Sequence, residues 1–150
     1  MAGQGQLVEL AKDYCAQDRD GHVLHRGEDV TNDRYAAEGM VASTDPNGSW
    51  RAGLNGALPG LQMHADPRAG FAFQQQRAPA HKALDMGEIM TTDGTGTGPT
   101  GSHDHVPAVS EASTAKPDLR DIKYRSPGVG LIGEDEAVDA NRAKPQAFRP

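Results

Sequence analysis

From Pro46 onward the chain never goes twenty residues without a proline, which stands at 46, 59, 67, 79, 99, 107, 117, 127, 145 and 150. Each proline fixes φ and lacks a backbone N–H, so helix interiors and central strands are interrupted wherever one falls. Only residues 1–45 are free of that breaker, and regular structure is expected to begin there. Within them Leu7, Leu10, Ala11 and Tyr14 recur at i, i+3, i+4 and i+7 with Cys15 at the margin, which predicts an amphipathic helix over about residues 5–17. Asp20-Gly21 and Arg26-Gly27 bracket HVLH, the pattern of a tight turn and a short strand.

The second constraint is a shortage of large apolar side chains. Val, Ile, Leu and Phe supply 23 of 150 residues, under the roughly 20 % below which a chain struggles to close its own core. Ordering costs roughly 1.5 kcal/mol per residue while burial returns about 25 cal/mol per Å². The balance predicts a shape borrowed in part from a partner surface. A net charge of −6 is too modest for a self-repelling chain and has the wrong sign for a general nucleic-acid binder. One cysteine excludes an internal disulfide framework, and no basic, then apolar, leader opens the sequence. The expectation is an intracellular protein or a particle assembled inside a cell. No apolar run approaches the ~18 residues of a spanning helix.

Four segments follow from composition: a helical unit with a turn and strand over 1–45, a basic Gly/Pro/aromatic arm over 46–82, an acidic Thr/Gly linker region over 83–111, and a C-terminal arm over 112–150. Charge alternates along them, −5 over 1–45, +3 over 46–82, −5 over 83–111, +2 over 112–130 and −1 over 131–150, which suits docking segments. DPNG at 45–48 is a turn signal, and Leu54, Leu58 and Leu61 at helical spacing are opposed by Gly53, Gly56, Pro59 and Gly60. WRAGL at 50–54 is echoed by PRAGF at 67–71, and Phe71 and Phe73 alternate as on a strand edge. DLRDIKYR predicts a short strand through Ile122 and Tyr124 turned by SPGVG, and GEDEAVDANRAK, acids early and bases late, predicts a short helix.

The chemical motifs dissolve on inspection. GTGPTG at 96–101 spells the dinucleotide fingerprint, but Pro99 removes a phosphate-binding N–H and no helix follows; read as a P-loop, it has Ser102 where the Lys belongs. A Thr/Gly linker is the expected structure. His103 and His105 would share one face of a strand, with His81 or His64 as a conceivable third metal ligand. An EF-hand over AQDRDGHVLHRGE fails because Ala16 and Gly27 stand at the first and twelfth ligand positions. Cys15 near His22 or His25 lacks an orienting third group, and no G-x-S-x-G occurs. Trp50, Phe71 and Phe73 among Arg51, Arg68 and Arg77 are too sparse for a single-strand nucleic-acid platform, and fit anchors for a protein surface.

The sequence therefore predicts a mostly irregular, extended protein with a short N-terminal α-helix and a few short β-strands. The alternative is a small β-rich oligomeric decoration domain. The function expected is that of a non-enzymatic structural accessory, a cement or stapling subunit lying across a larger symmetric assembly, with a virion, a tailed-phage head or tail, as that assembly. Its partners are protein subunits, with no membrane, specific nucleic acid or small-molecule substrate, and no catalytic residue, metal or cofactor is assigned. The partner-binding candidates are Trp50, Arg51, Arg68, Phe71, Phe73, Tyr124 and Phe148. A small metal-binding protein using His103 and His105, and a single-strand nucleic-acid-binding arm, are the rival readings.

Overall fold

A computed structural model describes residues 2–3, 5–37, 39–114 and 116–139. Twelve strands account for most of them: β1 (Ala2–Gly3), β2 (Gln6–Leu7), β3 (Glu9–Gln17), β4 (Val23–Tyr35), β5 (Val41–Asp45), β6 (Trp50–Arg51), β7 (Gly60–Met63), β8 (Ala72–Gln74), β9 (Met86–Gly98), β10 (Gly101–Ser113), β11 (Lys116–Ser126) and β12 (Gly130–Asp139). The only helical turn among the described residues is a 3-10 turn at Pro79–His81. The mostly irregular fold with an N-terminal α-helix is thus overturned: the protein is β-rich, built on two antiparallel five-stranded sheets and a small β1–β2 pair.

The physical reason is clearest at the N-terminus. Leu7, Leu10 and Tyr14, which share a face at helical spacing, remain about half exposed, so no core rewards a helix there. Pairing rewards a strand instead. The Asp18 carboxylate accepts hydrogen bonds from the backbone N–H groups of Asp20 and His22, at 3.0 and 2.8 Å, and closes a turn that lays β3 against β4 from Gln17↔Val23 to Glu9↔Asn32. The short HVLH strand is the beginning of the thirteen-residue β4.

In the first sheet β4 pairs β3 along one edge, while β7, β6 and β5 follow one another along the other, at Val23–His25, Gly27–Glu28 and Asn32–Tyr35. A register shift between Tyr14 and Cys15 lies opposite Gly27, whose φ is +153°, and a Cβ on Gly27 would stand 2.6 Å from the Trp50 carbonyl oxygen. Glycine is required here on both counts.

The second sheet has the order β12-β11-β10-β9-β8. The 83–111 linker is in fact most of a long hairpin: Gly98 pairs Gly101, with Pro99 and Thr100 forming the turn. Pro107 is accommodated in a central strand because the register shifts on both sides of it, so no ladder N–H is missed. SPGVG does turn β11 into β12, with Ser126 opposite Gly130. The C-terminal helix is also corrected, since residues 133–139 belong to β12, and the rest of that prediction lies outside the described residues.

The core is divided. Val106, Ala108, Ile122, Tyr124 and Ile132 form one cluster inside the second sheet, and Trp50, Ala57, Ala78 and Ala83 a second. Phe73, Ile89 and Val109 form a third, on which Leu61 and Met63 of the first sheet pack. Leu58 also bridges to Arg77, so the two sheets meet where β7 gives way to β8.

Candidate functional site

Two surfaces stand out, the outer edge of the first sheet and a cleft between the sheets. The edge is β3, outermost in its sheet and exposed at all nine residues. Alternation along the strand places Leu10, Lys12 and Tyr14 on one side and Glu9, Ala11 and Asp13 on the other. On the first side the Tyr14 hydroxyl donates to Asp29 at 2.7 Å, the Arg51 guanidinium lies 3.7 Å over the Tyr14 ring centroid, and Arg51 pairs Asp29 at 2.7 Å. Leu7, Met40 and Val41 add exposed apolar surface at the far end, where the Tyr35 hydroxyl donates to the Leu7 carbonyl.

The other side of β3 faces the cleft, of about 380 Å³, lined by Glu9, Asp13, His25 and Glu28 from the first sheet, Gln75, Gln76 and Asp85 from the junction, and Glu111, Asp121, Lys123, Glu134 and Glu136 from the second. The Gln75–Gln76 pair spans it: Gln76 donates to Glu28 at 3.1 Å and Gln75 to Glu111 at 2.6 Å. Glu111 also receives Lys123 at 2.7 Å and Arg125 at 3.0 Å. Burial pushes the Glu111 carboxyl up, but the charges of Arg125 and Lys123 outweigh it and hold the group below its ordinary 4.5.

Glu28, Asp85 and Glu134 show the opposite balance. Burial raises each of them above its ordinary value, reinforced at Glu28 by Asp13, at Asp85 by Glu111 and at Glu134 by Asp121. Asp13 is lowered chiefly by His25, whose Nε2 lies 3.1 Å away but out of line for a hydrogen bond. The pH consequence has a definite sign. A carboxyl raised by folding keeps its proton better in the native state, so stability falls as pH rises from its ordinary value through the raised one. Glu28, Asp85 and Glu134 therefore destabilise the native state at neutral pH, while the contributions of Glu111 and Asp13 are lost in stronger acid. Denaturant unfolding across pH is expected to show stability falling as pH rises above the ordinary carboxyl range, and stability that climbs steadily there instead would contradict this.

The residues singled out from sequence do not gather. Trp50, Phe73 and Tyr124 are buried in three different core clusters, with the Tyr124 hydroxyl donating to Asp135 at 2.9 Å. Arg51, Arg68 and Phe71 do reach the surface: Arg68 pairs exposed Asp66 at 2.6 Å, and the Phe71 ring meets His64 and stacks on Phe73. Phe148 lies outside the described residues. His103 and His105 are separated by the bulge at His105, whose φ is +53°. Each has its own partners, Thr100 and Ser126 for His103 and Asp93, at 2.6 Å, for His105.

Sequence reasoning missed Glu111, Lys123 and the cleft carboxylates. The Gln74–Gln76 run and the two acids, Glu9 and Asp13, on one side of β3 were the available signals, but neither says what it faces.

Compared with family models, curated proteins and solved structures, the chain matches none. No helix among the described residues is long and apolar enough to cross a membrane.

Proposed function

We propose that the protein is a non-enzymatic structural accessory subunit that staples neighbouring subunits of a larger assembly, and that this assembly is a virion, a tailed-phage head or tail. The observation that carries the reading is the edge strand β3, exposed along its whole length and bearing Leu10 and Tyr14, with Leu7, Met40 and Val41 beside the same sheet. An outermost strand offers unpaired backbone donors and acceptors to a further strand, which is how β-augmentation joins separate chains. Pro is absent from β3, and its charged residues are Glu9, Lys12 and Asp13, of which Glu9 and Asp13 turn toward the cleft, so the side bearing Leu10 and Tyr14 carries Lys12 alone. Arg51 stacked on Tyr14 supplies a preordered aromatic and arginine pair of the kind that anchors interfaces.

The expected result is that the chain, quantified by mass spectrometry across a density gradient of lysate from the cells that make it, sediments with a large particle at a fixed ratio to that particle's main subunit. Leu7→Lys with Leu10→Lys, both at exposed positions, should leave the fold intact and move the chain to the top of the gradient. A wild-type chain found only at the top, as a free monomer, would overturn the proposal.

A further inference from the structure

The space between two packed sheets ordinarily holds interlocking apolar side chains. Here, beyond the Phe73 cluster, it holds eight carboxylates, Glu9, Asp13, Glu28, Asp85, Glu111, Asp121, Glu134 and Glu136, against the one ammonium of Lys123. With histidine neutral, and with Arg125 counted because it pairs Glu111, these residues carry −6, which is the net charge of the whole chain. The protein's excess charge is concentrated in one cleft. Like charges facing one another across a partly desolvated gap repel far more than on an open surface.

An independent observation points to a missing partner. His25 lines the cleft, is 3 % exposed, and its Nδ1 makes no hydrogen bond. Its Nε2 lies 3.1 Å from Asp13 but also makes no hydrogen bond, so in either neutral tautomer the ring keeps a buried acceptor in need of a donor. A cation carrying N–H groups answers both the charge and the orphaned nitrogen.

The arrangement also selects the kind of cation. Among the described residues no three His, Cys, Asp or Glu side chains converge as metal ligands. The carboxylates are instead strung along the strands: Glu9 and Asp13 lie on one side of β3 four residues apart, about 13 Å at the rise of a strand. A point charge serves one end of such a row, whereas ammonium groups spaced by a few methylenes serve its length. A cleft of about 380 Å³ suits a small flexible chain of this kind.

We propose that the intersheet cleft binds a linear aliphatic polyamine, its ammonium groups paired with Glu9, Asp13, Glu28 and Glu134 and one N–H donated to the unprotonated ring nitrogen of His25. The site is independent of the stapling edge, since it uses the opposite side of β3.

Titration calorimetry of the full chain with spermidine at low ionic strength tests the site. One-site saturable binding is expected, weakened at least tenfold in Glu28→Gln/Glu134→Gln and unchanged in Asp104→Asn/Asp118→Asn, which removes the same charge elsewhere. The free cleft variant should melt no lower than wild type, because it relieves repulsion. Glu9→Gln, at an exposed position, should weaken binding in the same sense and guards against a misfolded double variant. Absence of saturable binding, equal weakening in the cleft and control variants, or magnesium binding the cleft as tightly as spermidine would each overturn the proposal.

Discussion

Replacing Glu111 by Gln is expected to destabilise the protein by about 3–5 kcal/mol, the usual consequence of removing one partner from a buried ion-pair cluster. At the size of this chain the loss corresponds to a fall in Tm of about 6–20 °C. Three donors converge on the Glu111 carboxylate, Gln75 at 2.6 Å, Lys123 at 2.7 Å and Arg125 at 3.0 Å. The glutamine keeps the shape and one acceptor oxygen but leaves two cations without their neutralising charge. Among the described residues Lys123 retains only the Glu134 ion pair, at 3.7 Å, and the second guanidinium nitrogen of Arg125 is already buried without a hydrogen-bond partner. The variant should also lose the share of the acid limb that Glu111 supplies, leaving that of Asp13, since a carboxyl lowered by folding contributes above its ordinary value and ceases to do so as pH falls through the folded one. Replacing Lys123 and Arg125 by Met as well should recover most of the loss. Thermal melts of the single and triple variants decide the matter: a single variant within about 1 kcal/mol of wild type would mean that the cluster behaves as a surface pair.

Gly60→Ala is the second large effect. Gly60 opens β7 where the sheets meet, and a Cβ on it would stand 1.9 Å from the Gln75 carbonyl oxygen, 2.4 Å from its carbon and 3.0 Å from the Gln74 carbonyl oxygen. All three are backbone atoms, so no side chain can swing aside. One methyl group must separate β7 from the end of β8 and with it the packing of Leu61 and Met63 on Phe73. The expected cost is at least about 3 kcal/mol, the upper part of the range for overpacking, with hydrogen exchange accelerated first in β7 and β8. Gly56→Ala is the contrast: it has open space around it but a φ of +76°, so it should show backbone strain alone, about 1 kcal/mol. Equal Tm values for the two variants would show that the close approach at Gly60 does not constrain the junction.

The error about helix and strand has a particular cause. Leu7, Leu10, Ala11 and Tyr14 fit a helical stripe as well as residues can, yet the same segment alternates Glu9, Ala11 and Asp13 with Leu10, Lys12 and Tyr14. Both periods are present, and local pattern alone cannot choose between them. The choice was made by β4, whose backbone groups pair every residue of β3. The same holds for the Thr/Gly run, which reads as a linker by composition but is held in register against residues 101–106. Trp50 and Phe73, read as surface anchors because they are aromatic among arginines, are interior for the same reason aromatics usually are, their large apolar area.

What the linear chain determined by itself is local: the turns at Asp20-Gly21, Asn47-Gly48 and Pro127-Gly128, and the thinness of its core, now three small clusters. Turn geometry depends on the φ preferences of two or three neighbouring residues, and core volume on their number, so both can be read from composition and order. Only the tertiary structure decided that β3 is an edge, that Glu111 holds two cations, and that carboxylates as far apart as Glu9 and Glu136 share one cleft. Strand pairing joins residues distant in sequence through backbone groups common to every residue, and the side chains leave no local record of which strand they will face.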